Sequence, residues 1–588
     1  MQEAGRSAKG AERVDHARWL WPAAAISVAV TAYLNWITVS TIWTAKSEIP
    51  LRDQWPFLDD VRAILAGEHP ASRLWSCYWG HRPVITRLIT LADVRWFFGS
   101  NTPLIALNLL FQTGHAVLLA YVAWRVFRHV SWPLFLLIAA VIFEFSLSAL
   151  QMENLIWAAQ IGYVLTAAAA TLAFFLLALY AGQAGDASGK AGALLAGCFF
   201  AALVSSLSRP DGILAWPVLV VQACALRLKM RVRILLALAA CAVAGAYFWK
   251  YEAGPPLGMG VAGTILHPLQ SLPILAMLVV EPFSVLSSRA GVWLGAVSLL
   301  FAGYAWVKVL GPRSRSPAMI SVFGAVALFS LATMSTIVMG RVSPAFIAAR
   351  GKFPLFPSRY SASAFLFWAG MIGISAWLLI HNRRTWPQFA AIGSMTFALS
   401  FGTAFWQVGE ARNWRAYITE LDVAGTALVL GVHDPSSAAL DAIYPDVPLR
   451  WQIRDWLQRN RLSFFREPRA HLMGSGVSSG SANASCEGHA ETPVRVDEGL
   501  VRGTGWVWDS RANGAPRDLV FVDGSGRVVG LARSGLRRPD LRGKVPEKYL
   551  EDSGWQGYIV NPGKGSIGVY GVIAGKNSYC RVSEIPGL

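Results

Sequence analysis

Eleven predominantly apolar runs, each about 20 residues long, constrain this chain more than any other feature. They lie near 19–43, 103–124, 131–150, 155–181, 191–207, 212–228, 233–250, 291–309, 318–338, 362–380 and 386–405. A run of that length matches the hydrocarbon thickness of a bilayer, where every backbone N–H and C=O must be bonded within the protein, so each is expected to be a helix. A further run, 266–288, contains His267, Pro268, Pro273 and Glu281-Pro282. It is expected to be an interfacial or re-entrant segment, because a full crossing would place the basic stretches that follow it on the wrong side. The expected fold class is therefore an α-helical polytopic membrane protein of about 11 transmembrane helices.

Composition agrees. Of 588 residues, 54% are hydrophobic and 15% charged, too apolar for a soluble domain of this size. The formal net charge of +17, from 52 basic and 35 acidic residues, could suggest nucleic acid, but much of the excess sits in short gaps between apolar runs. There it orients the chain, and a nucleic-acid partner is excluded on this reading. The first run follows Arg6, Lys9, Arg13 and Arg18, is too long for a signal-peptide core, and is followed by no small-residue cleavage site. With the N-terminus in the cytoplasm, five gaps (125–129, 182–190, 227–233, 311–315 and 381–384) fall on that side, and four of them are basic.

The same threading puts everything after residue 405 on the opposite side, with expected divisions at 1–405 (membrane domain), 406–470, 471–485 and 486–588. Residues 406–470, with "RWQIRDWLQRNRLSFF", are expected to form amphipathic helices at the membrane. "GSGVSSGSANAS" gives a Gly/Ser linker, 471–485. In 486–588, "LVFVDGSGRVVGLA" reads as strand, Asp-Gly turn, strand, so a small β-sandwich is expected. Its role is expected to be accessory, with Trp506, Trp508, Asp509, Arg538, Asp540 and Trp555 among its polar and aromatic residues. Cys486 and Cys580 flank it and are a disulfide candidate outside the cytoplasm. Cys198, Cys224 and Cys241 lie in apolar runs, and Cys77 has no evident partner.

Five polar clusters then share one face of the membrane: the opening loop from Ser47 to Ile89, 151–160, 208–212, 251–258 and 340–360. Convergence on one face suggests a site there, whereas transporters more often place polar groups at mid-membrane. Within the runs, Glu144 and His115 read most simply as helix-pairing groups. In the opening loop, Trp55, Leu58, Val61, Ile64 and Leu65 are spaced for an amphipathic helix beginning after Asp53. Asp53 is a natural N-cap, yet its N3 residue is Pro56, which has no N–H, so only the N–H of Trp55 is left for it to bond. Asp60 shares its helical face, while Asp59 is expected to pair with Arg62. His81 and Arg82, before Pro83, are candidate phosphate ligands, as are Arg341, Lys352 and Arg359 in a loop unusually basic for its side.

On these residues the chain resembles the polytopic class C (GT-C fold) glycosyltransferases, such as protein O-mannosyltransferases and lipid A aminoarabinose transferases. Those enzymes carry an acidic motif just after the first membrane helix, then an interfacial helix with an aromatic residue, then a basic-Pro-Pro turn. "DQWPFLDDVRAILAG" matches the helix, with Asp53 at the catalytic Asp, Gln54 in place of the second acid, and Phe57 as the aromatic. "GHRPVITRL" resembles the turn, with only Pro83 retained. The order "DQW", "HR", "ENLIWAAQ", "SRY" is also similar to a bacterial O-antigen-modifying subgroup, and the resemblance covers roughly residues 1–410.

The resemblance implies an inverting transfer, at the periplasmic face of the bacterial inner membrane, from a polyprenyl-phosphate-sugar donor to a glycan, lipid or protein acceptor. Asp53 would be the general base, with Asp60 as a second catalytic candidate. His81, Arg82, Arg341, Lys352 and Arg359 would bind the donor phosphate, and Gln54, Trp55, Glu153, Asn154 and Gln160 the sugar or acceptor. Gln54 leaves the metal requirement open, with a divalent cation as the one cofactor considered. The competing readings are an O-antigen ligase or polymerase and a lipid-linked saccharide flippase.

Overall fold

The computed structural model describes residues 20–183, 189–252, 254, 258, 260–283, 288–311, 317–341, 356–382, 386–477, 486–573 and 578–587. The chain forms two compact units: a bundle unit of residues 1–41, 69–88 and 105–411, and a second unit of residues 42–68, 89–104 and 412–588.

Among the described residues, nine helices are long and apolar enough to cross a membrane: Leu20–Ala45, Asn101–Phe127, Trp132–Ile156, Ala158–Gln183, Gly189–Ser208, Met230–Phe248, Arg289–Val309, Ala318–Arg341 and Ser358–His381. They make this a multi-pass membrane protein. The count becomes ten if Gly260–Leu266 and Pro268–Val279, which meet at 103°, are one broken span. The break falls at His267, which leaves helical geometry ahead of Pro268, because the proline ring disfavours the α region for the residue before it.

Two of the eleven expected runs fold differently. In 212–228 the chain first makes a 3-10 turn, Pro210–Leu214, which leaves only an 11-residue helix, Ala215–Ala225. The run 386–405 does not end as an element at its expected boundary. It opens a 39-residue helix, Trp386–Ala424, that continues unbroken into the stretch assigned to the connector.

The bundle core is aromatic and aliphatic, with Phe145, Phe174, Phe323 and Phe329 buried. Polar groups inside it pair helices, as expected for side chains with no water to turn to. Glu144 accepts from Thr403 at 2.7 Å, Gln407 at 3.2 Å and Thr31 at 3.5 Å. His115 contacts Thr171 at 2.9 Å, and Gln222 donates to the Phe174 carbonyl and to Ser321.

In the second unit, residues 486–585 form one antiparallel sheet and not the two packed sheets of a sandwich. Its strands are β1 (Cys486–Ala490), β2 (Val494–Asp497), β3 (Leu500–Asp509), β4 (Asp518–Val522), β5 (Val528–Leu536), β6 (Gly554–Val560), β7 (Ile567–Ile573) and β8 (Ser578–Ile585). The order is β1-β3-β6-β5-β4-β7-β8, with β2 paired to β3. Cys486 in β1 and Cys580 in β8 are disulfide-bonded, which joins the two ends of that path in a barrel-like closure. Inward residues such as Val507, Phe521, Trp555 and Ile559 fill the interior. Part of the expected linker belongs to this domain, since Gly474 and Val477 donate to the Val528 and Gly526 carbonyls. Residues 478–485 of that linker lie outside the described residues.

A buried ionic cluster ties the domain to the rest of its unit. Arg533 Nε lies 2.7 Å from Asp422 Oδ2, and its Nη1 donates to Glu467 at 2.9 Å. Ser47 donates to Asp422 at 2.7 Å, and Arg469 and Arg517 lie alongside. Burial alone would push the Asp422 carboxyl up, but the arginines and Ser47 more than offset it and hold it below its usual range.

Cys580→Ser is expected to destabilise the barrel by about 2–4 kcal/mol, because the cross-link closes a long loop. The measurement is limited proteolysis of the full chain with and without reductant, in which wild type under reductant should match the variant.

Candidate functional site

In the bundle unit, the turn from Ser76 to Pro83 is fixed by Arg82, which is 2% exposed. Its Nε donates to the Tyr247 carbonyl at 2.8 Å, Nη2 to Trp249 at 2.6 Å and Lys250 at 3.0 Å, and Nη1 to Trp75. Three of these acceptors are carbonyls at the C-terminal end of helix Met230–Phe248, which a helix cannot satisfy itself. Tyr247 Oη accepts from the Arg82 backbone N–H at 3.0 Å. Arg82 is thus spent on backbone carbonyls and is not presented to a phosphate.

That turn delivers His81 to the last residue of helix Ala318–Arg341. Arg341 Nη2 and His81 Nε2 are 3.0 Å apart, and Arg341 also reaches the Trp79 carbonyl at 3.4 Å. A guanidinium only donates, so His81 Nε2 accepts and its proton sits on Nδ1, which is buried without a hydrogen-bond partner. Burial, then Arg209 and Arg341, lower the His81 pKa to about 3, with the Gly80 carbonyl weakly opposing. His81 is therefore neutral at pH 7.

Arg209 stands between its ion-pair partner Asp211, at 3.0 Å, and the ring of Tyr163, whose centroid is 3.1 Å from Cζ. Glu153 binds Arg359 twice, at 3.0 Å to Nη1 and 2.8 Å to the backbone N–H, and Asn154 Nδ2 donates to the Arg359 carbonyl at 2.9 Å. Among the described residues no carboxylate pairs with Arg341.

The approach is close enough to demand glycine. A Cβ on Gly258 would lie 2.5 Å from the Met339 carbonyl and 2.7 Å from Arg341 N, and one on Gly254 2.8 Å from the backbone of Trp79. Tyr251 donates to the Gly80 carbonyl at 2.9 Å. Segments spread across 280 residues of sequence thus meet in this unit.

The second unit holds Asp53 and Asp60. Asp53 is the N-cap residue of helix Gln54–Leu65, is exposed, and makes no side-chain cap hydrogen bond. Asp60 is buried on the same helix, and Asp59 pairs with Arg62 at 2.9 Å. Gln54 and Trp55 are committed to the loop itself. Gln54 accepts from Leu51 N–H and donates to Asn101 at 2.5 Å, and Trp55 Nε1 donates to the Pro50 carbonyl at 2.8 Å. Nearby, Glu48 accepts from Ser100, the Asn101 N–H and Thr102, so it caps helix Asn101–Phe127. Burial, and then Glu48, raise Asp93 to about 8.

Of the sequence candidates, His81 and Arg341 come together, as do Glu153, Asn154 and Arg359. Gln160 is buried in a 3-10 turn, and Lys352 lies outside the described residues. Sequence reasoning marked "SRPDG" as a polar cluster but missed Arg209 and Asp211 as individuals, and missed Tyr163 altogether, since a tyrosine in an apolar run carries no signal. Among the described residues no group of three or more His, Cys, Asp or Glu side chains could hold a metal ion. No protein-family model and no curated protein sequence matches the chain.

Three outcomes follow from this geometry. Arg82→Lys should destabilise the protein, because an ammonium lacks the planar fork and each stranded carbonyl costs about 1–3 kcal/mol. Asp93 binds its proton more tightly folded than unfolded, so stability should fall as pH rises through about 8, and Asp93→Asn should flatten that limb of a melting-temperature profile. His81 runs the other way, with stability falling as pH drops from its ordinary 6.5 toward about 3, a loss that His81→Gln should relieve.

Proposed function

We propose that this chain is a membrane glycosyltransferase. It moves a sugar from a polyprenyl-phosphate carrier to an acceptor on the periplasmic face of a bacterial inner membrane, with inversion. The observation that carries this reading is the contact of Arg341 with neutral His81, beside Arg209, within a membrane-embedded bundle. A guanidinium with no carboxylate partner among the described residues, next to a buried N–H without an acceptor, suits a phosphate oxygen. A multi-pass bundle suits a substrate whose carrier is a lipid.

In the proposed step the acceptor hydroxyl oxygen attacks the anomeric carbon while the bond from that carbon to the phosphate oxygen breaks. The electron pair leaves with polyprenyl phosphate, and the hydroxyl proton passes to Asp53. The resemblance supplies that role. The exposed Asp53 carboxylate, unused as a cap, is compatible with it.

The test is release of polyprenyl phosphate from a sugar-labelled donor by the full chain in lipid. Asp53→Asn should lower turnover about 10²–10⁴-fold, the usual scale of general-base catalysis, with the melting temperature unchanged. Arg341→Gln should weaken donor binding. An intact donor that merely changes leaflet would replace this reading with a flippase, and full activity in Asp53→Asn would remove Asp53 from the chemistry.

A further inference from the structure

In the second unit, residues 95–100 meet residues 461–466 in a junction unlike a soluble surface. Trp96, Phe97 and Phe98 are 70%, 53% and 49% exposed, three large apolar side chains in succession where helix Val84–Phe97 ends. Phe98 has φ +62°, in the left-handed region where helices usually close on glycine and a bulky L residue is strained. Its carbonyl accepts from the Ser463 N–H at 2.9 Å, and the Ser463 hydroxyl donates to the Glu48 carbonyl at 2.6 Å. Two neighbouring segments thus hold a strained turn that keeps an aromatic ring outside the fold, and such retained strain points to a use for the ring.

Two membrane-capable helices fix the level of this junction. Lys46, the first residue after helix Leu20–Ala45, donates at 3.1 Å to Thr102 Oγ1 in the first turn of helix Asn101–Phe127. The two helices therefore end side by side in this unit, and the turn 97–100 stands at that boundary, where a bilayer passes from hydrocarbon to headgroups. Aromatic side chains favour this depth. Trp43, in the last turn of Leu20–Ala45, is also exposed, with the Lys46 ammonium 4.5 Å from its ring centroid.

The charge at the junction is positive and uncompensated. Arg466 is exposed, with Cζ 3.7 Å from the Phe98 ring centroid. Stacking occupies the flat face of its guanidinium and leaves the N–H donors at the edge. Arg95 and Arg461 are exposed too, and among the described residues no carboxylate pairs with any of the three. Two carboxylates close by in sequence are already occupied: Glu48 accepts from Ser100, the Asn101 N–H and Thr102, while Glu467 binds Arg469 and Arg533. An aromatic edge alone would suit any bilayer. Unpaired guanidinium groups beside it call for phosphate in a headgroup layer of net negative charge, since a zwitterionic lipid brings its own ammonium.

We propose that Trp96, Phe97 and Phe98 enter the bilayer interface and that Arg466, with Arg95 and Arg461, binds the phosphate of an anionic glycerophospholipid. These residues belong to the second unit, and the proposal does not depend on the transfer reaction.

The experiment is photo-crosslinking of the full chain in lipid nanodiscs, with peptides mapped by mass spectrometry. The probes are phosphatidylglycerol and phosphatidylcholine, each with a diazirine on one acyl chain close to the glycerol. Peptides covering 95–98 and 461–466 should be labelled about fivefold more by the phosphatidylglycerol probe, the ratio for one cation at an anionic surface. Arg466→Gln should remove most of that preference, and raised salt should shrink it. Arg95→Gln gives the same comparison if the Arg466 variant does not fold. Equal labelling by the two probes, or a preference that survives both substitutions, overturns the site. Peptides left unlabelled by either probe overturn it as well and mean that protein covers the patch, with a cross-linked dimer identifying a second copy.

Discussion

The bundle unit's polar face depends on the guanidinium of Arg82. A helix end covered by another segment cannot leave its last carbonyls to water. Arg82 gathers the carbonyls of Tyr247, Trp249 and Lys250 with that of Trp75. One charged side chain thus closes a helix terminus and pins a loop that comes from far away in sequence. Everything that follows is positional: the turn is held, so His81 meets Arg341, and Gly254 and Gly258 permit the approach because nothing larger fits.

The second consequence is that His81 stays neutral. An imidazolium beside two arginines would repel them, and burial adds to the penalty. Kept neutral, the ring links to Arg341 through Nε2 and holds out an N–H on Nδ1. The cluster can then be strongly donating while keeping its charge low, which lets it persist without a ligand. The barrel-bearing unit meets the same problem in a different way, with Asp422 neutralised by arginines around it.

Much of the fold was legible because hydrophobic runs of membrane length have few alternatives. The amphipathic spacing after Asp53 and the helix-pairing character of Glu144 and His115 were equally direct. What could not be read had physical reasons. Pro210 and Gly212 shorten a helix whose composition alone still looks like a span. A single closed sheet and a sandwich share the same strand-and-turn pattern, and only pairing distinguishes them. Arg82 and His81 are adjacent in a motif that suggests one role for both, yet one side chain is spent on carbonyls and the other faces Arg341. Gln54 and Trp55, beside the favoured Asp53, look like ligand contacts in sequence and are loop fastenings in structure. Sequence shows which polar groups exist, but not which are already satisfied.

Charge accounting sharpens the functional reading. Among the described residues of the cluster, Arg209, Arg341 and Arg359 face Asp211 and Glu153, three positive charges against two negative, with His81 neutral. The surplus is one positive charge, and it resides on Arg341. A glycosyl phosphodiester carries one negative charge and matches it. Transfer of the sugar leaves a phosphate monoester, whose second ionisation near pH 6 adds further negative charge at neutral pH. The match then fails by up to one unit, because His81 is held neutral by burial and by the two arginines and adds no charge. On the proposed reading the donor would be bound with its charge matched, whereas the product would leave up to one negative charge uncompensated unless it kept a proton.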